Sequence, residues 1–322
     1  MSGRPPRRGT ATGRGTVVGR STVVGDAQLP ALFRVADAAA VRRQRLTVDW
    51  VRRQLVLLVA AAACSATPWR WRVGHVDLLA ATSAAAYVGA LWFTWQTARH
   101  HHRENWQLHR SAAELLRSHC WRYAVRGSPY DSGLADPDGD FEVRVNDSLH
   151  ELRTAGWHDP RPAGAAHERA LITPAMRELR GRPLAVRRDV YVRDRVMEQR
   201  DWYRRRTGES RRAAAVWQSV AFAGTAAALA AAAARAFEWG TSMDLVGLAS
   251  SAAAAGVAWS ELRQYQPLVA AHSVVAQELD TMVVTMPKIT EESRWSVAVR
   301  AAEDAISPDH TAWLARHHDA GR

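Results

Sequence analysis

The sequence predicts an all-α integral membrane protein with two transmembrane helical hairpins, four spans in all, continued by long cytoplasmic helices. Three observations predict it. Four uncharged stretches occur two and two along the 322 residues. Of 43 basic residues, only Arg70, Arg72 and Arg235 fall inside the two hairpins so formed. The second pair of stretches also repeats features of the first at a fixed distance, as an internal duplication would. The whole-chain averages, 47% hydrophobic residues and a mean hydropathy of -0.27, resemble those of a soluble protein only because the apolar residues are clustered.

Residues 1–28 are rich in Gly, Arg, Thr and Pro, offer no apolar face to bury and are expected to be disordered. No apolar run of about 7 to 15 residues follows their arginines, so they do not read as a signal peptide. Residues 29–125 form the first two-transmembrane unit. Its first segment, 29–49, has helical periodicity, with Leu32, Val35 and Ala39 on one side and Arg42, Arg43 and Arg45 leading toward the membrane. Residues 55–67 (LVLLVAAAACSAT) are uncharged but short for a bilayer span of about 17 to 25 residues. Residues 78–97 (LLAATSAAAYVGALWFTWQT) would cross about 30 Å as a helix. Tyr87, Trp92, Phe93 and Trp95 lie toward their end, where an interfacial aromatic belt would sit. The short link between the two stretches makes them a hairpin, and the returning helix is expected to continue through Tyr123.

Residues 126–170 read as a cytoplasmic connector, loop-like over 127–162. Asp136, Asp138, Asp140 and Glu142 invite a calcium-loop reading. The EF-hand needs glycine at its sixth position and Gly139 falls at the fourth, so a plain acidic turn is expected. The second unit, 171–285, starts with Thr173-Pro174, a side-chain cap followed by proline at the first helical position. An arginine-crowded helix, 191–212, then runs into the uncharged stretch 213–234, and 245–260 returns. The arginines read as a solvated face on anionic headgroups, each worth about 1 kcal/mol. Specific nucleic-acid binding is not expected, because no recognisable binding fold accompanies them. Residues 286–322 read as cytoplasmic C-terminal helices and tail, with a second helix start at Ser307-Pro308.

Trp95 and Trp259 lie 164 positions apart, as do Glu114-Leu115 and Glu278-Leu279, so the hairpins are expected to superpose Trp95 on Trp259 and Glu114 on Glu278. Gln44-Arg45 and Gln199-Arg200 recur at a different offset, 155. By the positive-inside tendency, both termini and the region 99–212 belong in the cytoplasm of a multi-pass cell-membrane protein. Cys64 and Cys120 are too few for a disulfide framework or a zinc site built on paired cysteines. His100, His101, His102 and His109 form a metal-like cluster, but sequence neighbours on a helix cannot all face one ion, so a polar collar below the second span is expected. No Ser/His/Asp order, phosphate loop or supported carboxylate pair appears, so neither enzymatic activity nor a cofactor is expected.

Small residues on the spans, Gly224 and Gly256 among them, allow the close helix approach that drives association in lipid. Ser83, Thr94, Gln218, Thr225, Ser250 and Ser251 would line a polar path or bond across helices. Four helices per chain are too few to enclose a generous water path, so a pore implies a homo-oligomer. The competing reading is a membrane-anchored scaffold that holds partner proteins without conducting.

The stretches ALITPAMRELRGRPLAVRRDVYVRDRVMEQRDWYRRR (170–206) and SAAELLRSHCWRYAVRGSPYD (111–131) resemble the SLATT family, the two-transmembrane effector domains associated with SMODS and SLOG proteins. LPALFRVADAAAVRRQ (29–44) and ISPDHTAWLARH (306–317) are similar to its tandem form. The resemblance implies a membrane effector of bacterial conflict systems. Such an effector is released by a nucleotide signal or a nucleotide-sensing or nucleotide-synthesising partner protein, and opens a pore that disables the infected cell. It carries over no catalytic residue. It does mark Trp121, Gln199, Arg200, Trp202 and Tyr203 as a junction between cytoplasmic helices and membrane, with packing rather than ligand contact as their expected role.

Overall fold

A computed structural model of the chain describes residues 25–69, 71–73, 75–99, 102–161, 170–237 and 243–306. These residues are nearly all helical. Helix α1 (Ala31–Ala66) fuses the arginine-bearing segment and the first apolar stretch into one rod of 36 residues. Among the described residues the only strands are β1 (Arg72–Val73) and β2 (Val76–Asp77), a minimal antiparallel turn with Arg72 opposite Asp77. There follow α2 (Leu78–Arg99), α3 (His102–Ala124), α4 (Pro137–Thr154), α5 (Pro174–Arg180) and α6 (Leu184–Tyr191). A π-helical stretch, Val192–Met197, joins α6 without a break to α7 (Glu198–Ala236). Helices α8 (Leu245–Arg263), α9 (Tyr265–Thr285) and α10 (Glu292–Ile306) complete the chain.

Three helices among the described residues are long and apolar enough to cross a membrane: Leu78–Gln96, Leu184–Ala236 and Leu245–Lys288. The uncharged part of α1 ends at Ala66 and reaches only about 18 Å at 1.5 Å per residue, well short of the 30 Å hydrocarbon layer. It is nevertheless built into a hairpin. Trp50 stacks on Trp92 at 5.8 Å, Gln54 donates to the Thr94 hydroxyl at 2.9 Å, and Ser65 and Ser83 share a hydrogen bond at 2.7 Å. Helices α7 and α8 form the second hairpin, with Trp217 packed on Trp259 at 6.1 Å. The hairpins point the same way: α1 packs against α8, and at the tips the Asp244 amide donates to the Ala66 carbonyl at 2.9 Å.

Matching contacts recur in the two hairpins, at a register that differs from the one expected. The Trp50–Trp92 and Trp217–Trp259 pairs each span 42 positions and are offset from one another by 167. The caps agree. Asp77 accepts from the Leu79 and Ala80 amides ahead of α2, and Asp244 accepts from the Gly247 amide ahead of α8. Trp259 therefore corresponds to Trp92 and not to Trp95. Helix α2 has 22 residues where α8 has 19, and this difference of three restores the 164 offset below the hairpins. There Leu115 and Leu279 are both core residues.

At the other end lies a helical body with one continuous core, drawn from α1 (Leu32, Phe33), α3, α4 (Phe141, Leu149), α5, α6, α9 and α10. Four expectations are corrected here. The connector is not loop-like throughout, because α4 occupies 18 of its residues. Its acidic cluster is a helix start: Asp136 caps the Gly139 amide at 3.0 Å, Pro137 follows at the first position, and Asp138 and Asp140 oppose the helix dipole. The arginine-crowded segment 191–212 is not wholly a lipid-facing surface. Arg195 is buried and held by Glu303 of α10, and upstream of the segment Arg187 is buried as well. Finally, the end of the tail, Asp26–Gln28, forms a 3-10 turn tied to α3 by an Asp26–Arg117 ion pair at 2.7 Å. Residues 1–24, His100, His101 and Ser307-Pro308 lie outside the described residues. Thr173 caps α5 through the Met176 amide, as expected.

His109 is buried, and its Nδ1 accepts a hydrogen bond from the Trp157 indole at 3.1 Å. Burial, and then the positive charges of Arg43 and Arg42, hold its pKa below the ordinary value. The fold therefore keeps this imidazole neutral. An unfolded chain binds its proton below about pH 6.5, so the stability that comes from the neutral ring is complete above that pH and declines as pH falls toward the depressed folded value. Thermal unfolding of the full chain in detergent is expected at lower temperature at pH 5.5 than at pH 7.5, and the difference should shrink in His109→Gln. An unchanged pH dependence in that variant would remove His109 from this role.

Candidate functional site

The two hairpins hold the residues with functional promise, and the structure divides them into seams and outer faces. Ser83 lies in a seam. It is 5% exposed, donates to the Ala61 carbonyl at 3.0 Å and bonds Ser65, so its hydroxyl is spent inside the first hairpin. Thr94 likewise accepts from Gln54 and donates to Ala90.

In the second hairpin Gly224 is the point of closest approach. A Cβ placed there would stand 3.0 Å from the Ala253 Cβ and 3.3 Å from its Cα. Gly256 is buried and faces Val220 and Trp217. Both glycines thus serve contact within the chain, whatever they do between chains.

Gln218, Thr225 and Ser250 are exposed and Ser251 is half-buried. Gln218 and Thr225 are seven positions apart, so they share one outward face of α7 with Phe222 and Leu229. Thr225 donates to the Ala221 carbonyl at 2.9 Å, which satisfies its hydroxyl within the helix. Gln218 has no such bond: its side-chain amide makes no hydrogen bond among the described residues. At the tips, Arg235 lies 3.8 Å from Asp244, both exposed.

The expected junction residues join helices of the body to one another. Trp121 is buried and meets the Tyr191 ring edge-on at 5.7 Å. Gln199 is half-buried, and Arg200 pairs with Asp201 at 2.7 Å while approaching Asp280 of α9 at 3.8 Å. Trp202 and Tyr203 both pack on His272 of α9, and the Tyr203 hydroxyl donates to the Ile306 carbonyl at the end of α10 at 2.8 Å. They precede the uncharged part of α7 by about ten residues, or roughly 15 Å of helix.

Beneath them lies a cluster that sequence reasoning missed. Arg195 donates to both Glu303 oxygens, at 3.0 and 2.8 Å, and the Tyr191 hydroxyl donates to the same carboxylate at 2.9 Å. Burial works against the Arg195 charge, but Glu303 outweighs it and the net shift of the guanidinium pKa is upward. Tyr191 is pushed well above its usual range, by burial and then by the Glu303 charge, so it stays a neutral donor. The cluster ties the π-helical stretch leading into α7 to α10. No local signal marks it, since its partners are 108 positions apart. The tryptophan pairs, by contrast, could have been found from their shared spacing of 42.

Comparison with known proteins adds two matches. Residues 30–188 match the family model described as SMODS and SLOG-associating 2TM effector domain 3, and residues 191–313 match that of SMODS and SLOG-associating 2TM effector domain 1. The boundary between them falls inside the unbroken helix, at the end of α6 and just ahead of the π-helical stretch. No curated protein and no solved structure matches the chain.

Proposed function

Since the chain belongs to the SLATT family, as two such domains in tandem, we propose that it is a conflict-system effector that assembles in the cell membrane into a conducting oligomer. In this reading α1 makes the fourth crossing, carried by its packing on α2, and the body with both termini is cytoplasmic, on the side that holds 40 of the 43 basic residues. The action needs no catalytic step. Release by a nucleotide-sensing or nucleotide-synthesising partner protein is what the family's association with SMODS and SLOG implies.

The observation that carries the oligomer is Gln218. An amide on the outer face of an uncharged helix is costly to leave unpaired in lipid, and a copy of the same face offers both a donor and an acceptor. With Thr225 one turn-pair deeper, the face then presents polar groups along a shared path. Controlled expression in bacteria, followed with a potential-sensitive dye, is expected to depolarise the membrane and arrest growth. Gln218→Leu should keep the protein in the membrane fraction and reduce depolarisation about tenfold, the factor for 1.4 kcal/mol per subunit contact. An inserted wild-type protein that leaves the potential at the uninduced level would favour the scaffold reading instead.

A further inference from the structure

A cavity of about 490 Å³ lies between the two units, where α1, α3, α7 and the α8–α9 junction meet. Its size falls in the range of small-molecule sites, about 300 to 1,000 Å³. Ser210 and Ala213 line it, which places it where the charged half of α7 gives way to the uncharged half.

Its polar groups are poised and unspent. Ser210 is 5% exposed, yet its hydroxyl has no hydrogen-bond partner among the described residues. The Arg263 guanidinium is held over the rings of Trp259 and Tyr265, at 6.0 and 5.7 Å, and pairs with no carboxylate among the described residues. Ring faces fix the plane of a guanidinium and leave its edge N–H groups free to donate. Gln264, in the left-handed conformation at φ 49° and ψ 41°, breaks the chain between α8 and α9. Helix α9 therefore begins afresh at the cavity, with no side-chain cap. Gln44 and Gln107 add side-chain amides from the first unit. Of the acidic groups, Glu209 is engaged by Arg206 at 3.0 Å and Glu261 is exposed.

We propose that this cavity binds a phosphate-bearing group. A guanidinium edge, an open helix N-terminus, a cavity-lining hydroxyl and amide N–H groups come from both units, and a tetrahedral anion has oxygens enough to meet them all. The bound group would then clasp the first unit to the second at the level where the helices enter the membrane. The phosphate can come from a phospholipid headgroup or from a soluble phosphate compound. The lipid source rests on the membrane reading above, whereas the soluble source does not.

The test uses the full-length chain in neutral detergent, followed by native mass spectrometry, and titrated with dihexanoyl phosphatidylglycerol and with inorganic phosphate, each alone and then in competition. A saturable adduct of one per chain is expected. Arg263→Gln should weaken it about tenfold or more, the scale of one lost charge-assisted bond, with Ser210→Ala weakening it severalfold. Circular dichroism should confirm that both variants keep their helices. A lipid adduct indifferent to free phosphate identifies the headgroup, and a lipid adduct displaced by free phosphate identifies the soluble source. No adduct with either probe, or one equally strong in Arg263→Gln, overturns the proposal. Membrane insertion is read independently, by alkali-resistant sedimentation. An inserted protein without an adduct fails this inference alone, while an adduct on a protein that does not insert fails the membrane reading alone.

Discussion

Glu303→Ala is expected to destabilise the helical body by about 3 to 5 kcal/mol, the cost of leaving a buried charge without its partner. Arg195 is 2% exposed, so water cannot replace the lost carboxylate, and the Tyr191 hydroxyl loses its acceptor in the same stroke. The neighbouring acid makes the control. Asp304 pairs with Arg122 at 2.6 Å but is 45% exposed, and Asp304→Ala should cost less than about 1 kcal/mol. The double change Arg195→Met with Glu303→Leu should recover most of the loss, because an apolar pair of similar volume avoids desolvating either charge. Thermal unfolding in detergent, followed by circular dichroism, reads all four proteins. If Glu303→Ala and Asp304→Ala unfold at the same temperature, the buried cluster does not hold α10 to the helix that continues into the second hairpin.

Gly224→Leu should act on the hairpin itself. The new Cβ would meet Ala253 backbone and side chain at 3.0 to 3.4 Å, and the branched carbons beyond it have nowhere to go while α7 and α8 stay packed. Overpacking of this kind costs about 1 to 3 kcal/mol, enough to cut the population of the correctly packed hairpin by about fivefold to 150-fold. Insertion should survive, since leucine raises the hydropathy of the span. Depolarisation on expression is the measurement, and it should fall by at least about fivefold by the same arithmetic. Gly208 has nothing within 4 Å of its ideal Cβ, so Gly208→Leu should leave depolarisation unchanged. Trimming the partner, Gly224→Ala with Ala253→Gly, should restore the wild-type response. Equal activity of Gly224→Leu and wild type would show that α7 and α8 need not touch for function.

The apolar stretches and their pairing were legible because a span must be long and uncharged, and composition alone reports both. The register of the duplication was not. Trp92 and Trp95 stand less than one turn apart, and the downstream Glu-Leu pair drew the comparison onto the wrong tryptophan across a difference of three residues between α2 and α8. Helix α4 was hidden by its own start: Asp136-Pro137 is the same cap-then-proline signature that correctly marked Thr173-Pro174, but the acidic residues around it read as a turn. The burial of Arg195 could not be read at all, because an arginine among arginines looks solvated until its carboxylate arrives from α10. Of the polar span residues, local sequence told which were uncharged and hydroxylated. Only the packing separates Ser83, consumed in a seam, from Gln218, which faces outward.

Ion flux through reconstituted membranes tests the effector reading most directly. Purified protein is incorporated into dye-loaded liposomes, its insertion and oligomeric state are verified, and leakage is followed with and without candidate signal nucleotides. The account predicts flux well above protein-free vesicles in at least one of these conditions, and its loss in Gln218→Leu at equal incorporation. Background flux in every condition, from protein that is inserted and oligomeric, would contradict it and leave a membrane-anchored scaffold in its place.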